Sequence, residues 1–280
     1  MIEERKRINK FRRQLINEIP LFPNNRETKD SLESGTLATA LLAYLNWRSR
    51  HIRPVKRTSI ISPRVTGSPY WQDYKEQINN IINLSNHGED LNPYLSLKAH
   101  HRGYTIIGHG DDQWIDKDQI LNTKGLYHFH LSEVQTRRGH MDRTNELLFA
   151  YVTHDTFQTL GIFTHNVFEH FENGEPHPER LEILKAHDEV LMFNTPPNSV
   201  IIDNPIMMSG HTLNVVSMVQ NFTRTIEAYD PKLDDYEFLK KLFNGNVPKN
   251  HKLEWAMDFT RLGIRDSRSG AFFILRHGLN

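Results

Sequence analysis

Two histidines stand two residues apart in the segment LYHFHL. Side chains alternate between the two faces of a strand, so His128 and His130 share one face. The opposite face carries Tyr127, Phe129 and Leu131. The apolar face predicts contact with a core, and the histidine face predicts a polar cleft. In the alternative interpretation, the two histidines only fill the solvated side of a half-buried strand.

Histidines and arginines in this pattern could carry out acid–base chemistry on RNA. An imidazole with a near-neutral pKa can take the proton from a ribose 2′-hydroxyl or give one to a departing 5′-oxygen. A guanidinium offers a planar fork of donors to a phosphate on which negative charge grows. The candidate catalytic residues are His128, His130, Arg143 and His165, and the candidate substrate-binding residues are Arg137 and Arg138. They predict metal-independent RNA cleavage.

Metal binding is a second chemistry open to the same histidines. Two neutral imidazoles two apart on a strand can both reach one ion, with His165, Glu169 or His170 completing the shell. No HExxH motif accompanies them, and the chain has no cysteine, which excludes disulfides, thiolate zinc sites and cysteine nucleophiles. We therefore predict no cofactor, and we keep a histidine-ligated metalloenzyme as an alternative.

A serine and a histidine two residues apart, Ser209 and His211, could form a nucleophile and its base. The segment has no GxSxG elbow and no evident partner acid. We therefore do not expect nucleophilic catalysis there.

Three strand-like runs surround the histidines and must position them. The run ELLFAYVT, residues 146–153, is apolar almost throughout, as expected for a central strand covered on both faces. His154 and Asp155 predict a tight turn, after which residues 156–165 return antiparallel as a third strand. Together with LYHFHL, these runs predict a mostly antiparallel sheet.

Helical periodicity and turn residues predict the remaining elements. Helices are predicted over residues 2–17, 36–50, 69–84, 114–121, 176–191 and 236–242. Residues 213–229 predict either a buried helix or a strand followed by a helix. Short strands are predicted over residues 57–62, 199–202, 252–262 and 271–275. Residues 24–35 are polar and predict a loop, and Gly88 predicts a left-handed helix cap.

The charge of the chain is unevenly placed, although the formal net charge is zero. Residues 1–64 carry 14 Lys and Arg against 6 Asp and Glu, whereas residues 166–260 carry 8 against 15. A basic end can meet nucleic acid. It can equally meet the acidic half of its own chain or of a neighbouring subunit, and we favour that internal pairing.

The region from Leu126 to Phe171 resembles the small RelE/barnase-type ribonuclease toxins. The similar parts are a strand followed by a basic loop, the long apolar strand ELLFAYV, and the ending GIFTHNVFEH. The resemblance implies an antiparallel sheet that cleaves RNA without a metal. It covers about a sixth of the chain, and the length of the chain and its flanking helices depart from those toxins.

The sequence as a whole predicts an α+β protein with a central, mostly antiparallel sheet. We expect a basic, helical region over residues 1–88 and a sheet domain over residues 89–280, and the alternative is that the two form one interlocked domain. With 38% hydrophobic residues, no signal-peptide core and no membrane-spanning run, a globular, cytoplasmic protein is expected. The expected partners are RNA and either an inhibitor protein or a second copy of the chain, with no membrane. A non-catalytic binding or assembly module is the alternative to a ribonuclease.

Overall fold

A computed structural model describes residues 5–106, 116–169, 175–196, 198–199 and 204–278. The helices are α1 (Lys6–Glu18), α2 (Arg26–Ser34), α3 (Leu37–Arg48), α4 (Pro63–Thr66), α5 (Trp71–His87), α6 (Leu97–His101), α7 (Gln119–Lys124), α8 (Pro178–Asn194), α9 (Leu213–Tyr229) and α10 (Tyr236–Leu242). The strands are β1 (Thr58–Ile60), β2 (Leu126–His130), β3 (Glu146–Val152), β4 (Thr156–Thr164), β5 (Leu253–Asp258), β6 (Arg261–Asp266) and β7 (Phe272–Arg276). Short 3-10 helices cover Asn92–Tyr94, His165–Phe168 and Asp230–Asp234. The predicted α+β class is confirmed.

The chain divides into two compact units. The terminal unit consists of Met1–Ser49, His100–Lys117 and Met207–Asn280, and the middle unit consists of Arg50–Ala99 and Asp118–Ile206. Each unit collects segments that are far apart in the chain. The sequence predicted a boundary between residues 88 and 89, and the two compact units do not follow that boundary.

The middle unit holds a four-stranded sheet with the strand order β1-β4-β3-β2. The strands β2, β3 and β4 pair antiparallel, as predicted, and β1 pairs parallel with β4. In the β2–β3 pairing His128 lies opposite Phe149, and His130 lies opposite Leu147. The register between β3 and β4 shifts after Phe149, where Leu160 is the extra residue of β4.

Both faces of this sheet are covered by apolar side chains. Tyr127, Phe129 and Leu131 pack in one cluster with residues of α5, including Ile78 and Ile81. The opposite face carries a second cluster that joins β2, β3 and β4 to α8. Its buried members include Leu126, Leu147, Phe149, Leu160, Ile183 and Ala186. The histidine face of β2 is therefore covered. His128 and His130 are both buried, so the interpretation in which they fill a solvated side of the strand was wrong.

The terminal unit packs helices against a second sheet, β5-β6-β7, which is antiparallel throughout. Its core joins α1, α3 and α9 to the strands through buried residues such as Phe11, Leu41, Phe222 and Trp255. The C-terminal strands thus form a sheet of their own. The sequence had predicted one central sheet.

Residues 24–35 contain a helix, α2, where the sequence predicted a loop. The Asn25 side chain caps this helix by accepting a hydrogen bond from the backbone N–H of Thr28 at 2.9 Å. Leu32 is fully buried in the core of the terminal unit. Packing of that one leucine and a good cap stabilise a helix whose composition is otherwise polar.

The other local predictions differ from the structure mainly at element ends. Residues 252–262 form a hairpin in place of one strand, because Phe259 adopts a φ of 60° between β5 and β6. The predicted cap at Gly88 is confirmed by its φ of 75°. The helix predicted over residues 114–121 begins outside the described residues, and its described part contributes to α7. The strand predicted over residues 199–202 lies almost entirely outside them.

Basic residues of α1 form ion pairs within the terminal unit. Arg7 contacts Asp230 at 3.2 Å and Asp234 at 2.7 Å, and Lys10 contacts Glu254 at 2.5 Å. These pairs agree with internal pairing of the basic and acidic halves of the chain. Within the described part of the chain, no helix is both long enough and apolar enough to cross a bilayer.

Candidate functional site

Three histidines of the middle unit converge on one cluster, which we call the histidine cluster: His128, His130 and His165. His128 and His130 project from β2, and their ring centroids lie 6.4 Å apart. His165 begins the 3-10 helix after β4, where its backbone N–H donates to the carbonyl oxygen of Asn145 at 3.0 Å. This bond turns the chain over the start of β3 and brings the His165 ring to 5.7 Å from that of His130.

Two phenylalanines frame the histidine cluster. The ring of Phe149 lies 5.7 Å from that of His128. The ring of Phe168 lies 5.1 Å from His128 and 5.9 Å from His165. Phe168 is 37% exposed, whereas His128 and His130 are 7% and 2% exposed. Phe168 therefore lies at the solvent side of the cluster, beside His128 and His165.

His130 has a defined tautomer. Its Nδ1 accepts a hydrogen bond from the backbone N–H of Thr144 at 3.2 Å, so the neutral ring carries its proton on Nε2. Burial, the largest cause, and the neighbouring His128, His165 and Arg143 together lower the pKa of His130 to about 3. The imidazole is therefore neutral at physiological pH and offers an N–H donor through Nε2.

His128 has a carboxylate partner. Its Nδ1 lies 3.5 Å from Oδ2 of Asp118, whose Oδ1 caps α7 by accepting from the backbone N–H of Leu121 at 3.0 Å. Burial lowers the pKa of His128, and Asp118 acts in the opposite direction. The charges of Lys98 and Arg143 add to the lowering. Asp118 is thus an anionic group that favours a protonated His128.

His165 differs from the other two histidines in being half-buried. Its Nε2 atom is shielded from solvent and has no hydrogen-bond partner among the residues that the structure describes. Burial lowers the pKa of His165, and Arg143 is the next largest cause. The ring is therefore neutral at physiological pH, with a ring nitrogen that no described group occupies.

The arginines predicted to contact substrate lie in the connection between β2 and β3. Arg143 is exposed, and its charge lowers the pKa of all three histidines. Arg137 and Arg138 occupy the tip of a small hairpin, in which the N–H of Gly139 donates to the carbonyl of Thr136 at 3.0 Å. The structure thus brings Arg143 within electrostatic reach of the cluster, whereas Arg137 and Arg138 lie on an exposed turn.

A glutamate anchors the segment that carries His165. Oε2 of Glu179, in the first turn of α8, accepts from the backbone N–H of Thr164 at 2.9 Å and from its hydroxyl at 2.8 Å. Thr164 in turn caps the 3-10 helix by accepting from the N–H of Asn166 at 3.3 Å. Glu179 therefore helps to set the position of His165 without touching its ring.

Several of these groups were not found from the sequence. Asp118 stands before a helix in the pattern of an N-cap, which signals a cap and not a histidine partner. Nothing in the local sequence links Lys98, Phe168 or Glu179 to the histidines. Their proximity arises from packing between α6, α8 and the sheet.

No set of three or more His, Asp or Glu side chains within the described ranges is arranged to hold a metal ion. His170, one of the ligands considered from the sequence, lies outside those ranges. The metalloenzyme alternative therefore has no support from the described residues.

Ser209 and His211 are in contact, with Oγ and Nδ1 3.1 Å apart. They lie in a local turn, in which the N–H of Met207 donates to the carbonyl of His211 at 2.8 Å. The contact follows from this turn geometry, as serine side chains commonly bond to groups two residues away.

No family model, curated protein or solved structure gives a significant match to this chain. The resemblance to RelE/barnase-type toxins therefore depends on the residue pattern alone.

The lowered pKa of His130 predicts that the protein loses stability in mild acid. Below an ordinary histidine pKa of 6.5 the unfolded chain binds a proton at this position and the folded chain does not, until the pH reaches about 3. Stability therefore falls as the pH falls through this window, and His130 alone is expected to cost about 2 kcal/mol between pH 7.5 and pH 5. Urea unfolding of wild type and His130→Asn at both pH values measures this difference.

In His130→Asn the amide oxygen can still accept from Thr144, so the share of the acid-dependent loss that comes from His130 is expected to disappear. The shares of His128 and His165, whose pKa values burial also lowers, are expected to remain. His154→Asn, on the exposed turn between β3 and β4, is expected to keep the wild-type pH dependence. Equal pH dependence in wild type and His130→Asn would show that His130 is not held neutral.

Proposed function

We propose that this protein is a metal-independent ribonuclease that works through the histidine cluster and Arg143. The observation that carries the proposal is the convergence of His128, His130 and His165 from β2 and from the segment after β4. We place its action in the cytoplasm. An inhibitor protein or a second copy of the chain is the proposed partner.

His165 is the proposed general base. A base must be unprotonated at working pH and must have a ring nitrogen that other protein groups do not occupy. The lowered pKa meets the first condition, and the unpartnered Nε2, within the described structure, meets the second. In this role it takes the proton from the ribose 2′-hydroxyl.

His128 is the proposed general acid. Its protonated form is favoured by Asp118 and opposed by the charges of Lys98 and Arg143. A bound phosphate would offset both positive charges, so substrate binding itself would raise the pKa of His128. His130 supplies a neutral N–H donor through Nε2 to the same phosphate.

The reaction is an internal transesterification. The 2′-oxygen, deprotonated by His165, forms a bond to phosphorus, and the bond from phosphorus to the 5′-oxygen breaks. The leaving 5′-oxygen receives its proton from His128. The products are a 2′,3′-cyclic phosphate and a free 5′-hydroxyl, and water can later return the two histidines to their starting protonation states.

Arginine and aromatic groups near the cluster suit the rest of such a substrate. Arg143 would stabilise the charge that grows on the phosphate. Arg137 and Arg138, at the exposed hairpin tip, would contact phosphates further along the strand. Phe168 offers an exposed ring edge beside His128 and His165, and nucleobases of single-stranded RNA commonly stack on such rings.

The burial of His128 and His130 favours a second candidate, a non-catalytic assembly module. In that case the imidazoles pack against Phe149 and Phe168 as core groups. Their replacement would then lower stability and leave the binding partners of the folded protein unchanged.

Incubation of the purified protein with single-stranded RNA in excess EDTA tests the proposal. Wild type is expected to release fragments that end in a 2′,3′-cyclic phosphate, detected by their conversion on acid treatment. RNA that carries 2′-deoxy substitution throughout is expected to stay intact, because the nucleophile is missing. Intact RNA after incubation with natively folded wild type would overturn the proposal.

A further inference from the structure

A pocket of about 430 Å³ lies in the terminal unit, with walls from α1 and from β5 with the residues before it. Its volume falls within the range of small-molecule pockets. The charged residues that line it are Lys6, Arg7, Lys10, Asp234, Lys252 and Glu254. None of these residues belongs to the histidine cluster, so the pocket is separate from the site described above.

Both carboxylates of the pocket are already engaged. Asp234 receives two hydrogen bonds from the guanidinium of Arg7, at 2.7 and 2.9 Å. Glu254 lies 2.5 Å from the ammonium of Lys10 and 3.5 Å from that of Lys252. The hydrogen bond from Lys10 is the main cause of the lowered pKa of Glu254. Neither carboxylate therefore requires a further cation.

Positive charge is left over in the pocket. Four cationic side chains face two carboxylates, an excess of two positive charges. The neighbouring pair of Arg5 and the buried Asp230 cancels, so it does not alter this excess. Lys6 forms no ion pair with any residue that the structure describes. Lys6 and Lys10 lie one turn apart on the same face of α1, and Lys252 approaches from the opposite wall.

We propose that this pocket binds a phosphomonoester of sugar-phosphate to mononucleotide size. A phosphomonoester carries about −1.5 to −2 charges at pH 7, which matches the excess of two positive charges. Its three terminal oxygens accept hydrogen bonds from several ammonium groups at once, and lysine binds phosphate as a point charge. The proposal is independent of the ribonuclease proposal, because the two sites share no residue.

Calorimetric titration of the full-length protein with adenosine 5′-monophosphate and with inorganic phosphate tests this inference. Both probes are expected to bind saturably at constant ionic strength, and adenosine is expected not to bind. Lys6→Ser is expected to weaken the binding of both probes by about tenfold, which corresponds to the loss of one charge-assisted contact. Lys6→Glu is expected to abolish it.

Lys29→Ser is the matched control. Lys29 is a half-exposed lysine of α2 that pairs with Glu33 outside the pocket, so its removal changes the net charge equally. This variant is expected to bind as wild type does. The proposal is overturned if Lys6→Ser and Lys29→Ser bind equally, or if adenosine binds as tightly as its monophosphate. Binding of single-stranded RNA without any binding of the monophosphate would also overturn it, and would indicate a polyanion surface.

Discussion

Replacing His165 by alanine is expected to lower the rate constant of RNA cleavage by about 10²–10⁴-fold, the usual contribution of one general base. His165 is the half-buried member of the cluster, and its Nε2 has no partner in the described structure. The truncation therefore removes a reactive nitrogen and no side-chain hydrogen bond to a residue that the structure describes. Single-turnover cleavage of a short RNA, at saturating protein, measures the rate constant directly.

Added imidazole is expected to restore part of the activity of His165→Ala, because the missing ring leaves a space of its own shape. His154→Ala, at the exposed turn between β3 and β4, serves as the control and is expected to keep wild-type activity. Cleavage by His165→Ala at the wild-type rate would rule out His165 as the base.

His128→Ala and His130→Ala are also expected to reduce cleavage by orders of magnitude. Both positions are buried, so these two variants are expected to lose stability as well. His165→Ala therefore distinguishes a ribonuclease from an assembly module more sharply than the two buried variants do. If the protein is a ribonuclease, all three variants lose activity. If it is an assembly module, His128→Ala and His130→Ala lose stability, and His165→Ala changes little.

Replacing Asp230 by alanine is expected to destabilise the terminal unit by about 1.5–3 kcal/mol, because the variant removes a buried carboxylate that accepts charge-assisted hydrogen bonds. Asp230 is 1% exposed and accepts from the indole N–H of Trp255 at 2.9 Å. It also accepts from Nε of Arg7 at 3.2 Å. The alanine variant leaves these two donors, and the guanidinium of Arg5 at 3.4 Å, without this acceptor. Urea unfolding followed by tryptophan fluorescence measures the loss.

Asp234→Ala provides the comparison, because Asp234 pairs with the same arginine on the surface. Its side chain is 72% exposed, and exposed ion pairs contribute less than about 1 kcal/mol. A similar loss in both variants would show that burial of Asp230 is not what makes its contacts important. The comparison also tests whether ion pairs with the acidic half of the chain stabilise the packing of the basic helix α1.

Much of the secondary structure followed from the sequence alone. The alternation in LYHFHL and the apolar run ELLFAYV predicted β2 and β3, and the helix over residues 236–242 was predicted with its observed ends. These predictions succeeded because hydrophobic periodicity and turn residues are local properties. Helix α2 was not predicted from the sequence, because its stability depends on the burial of Leu32 and no local sequence pattern indicates that burial.

The residue types of the candidate site were determined by the sequence, and their environment was decided by the tertiary structure. The spacing of His128 and His130 places both rings on one face of β2 in any fold that keeps the strand. Whether that face meets water depends on what packs against it, and here α8 and Phe168 cover it. Desolvation then lowers the pKa of the rings. The lowered pKa values result from the packing around the rings, and the order of residues does not predict them.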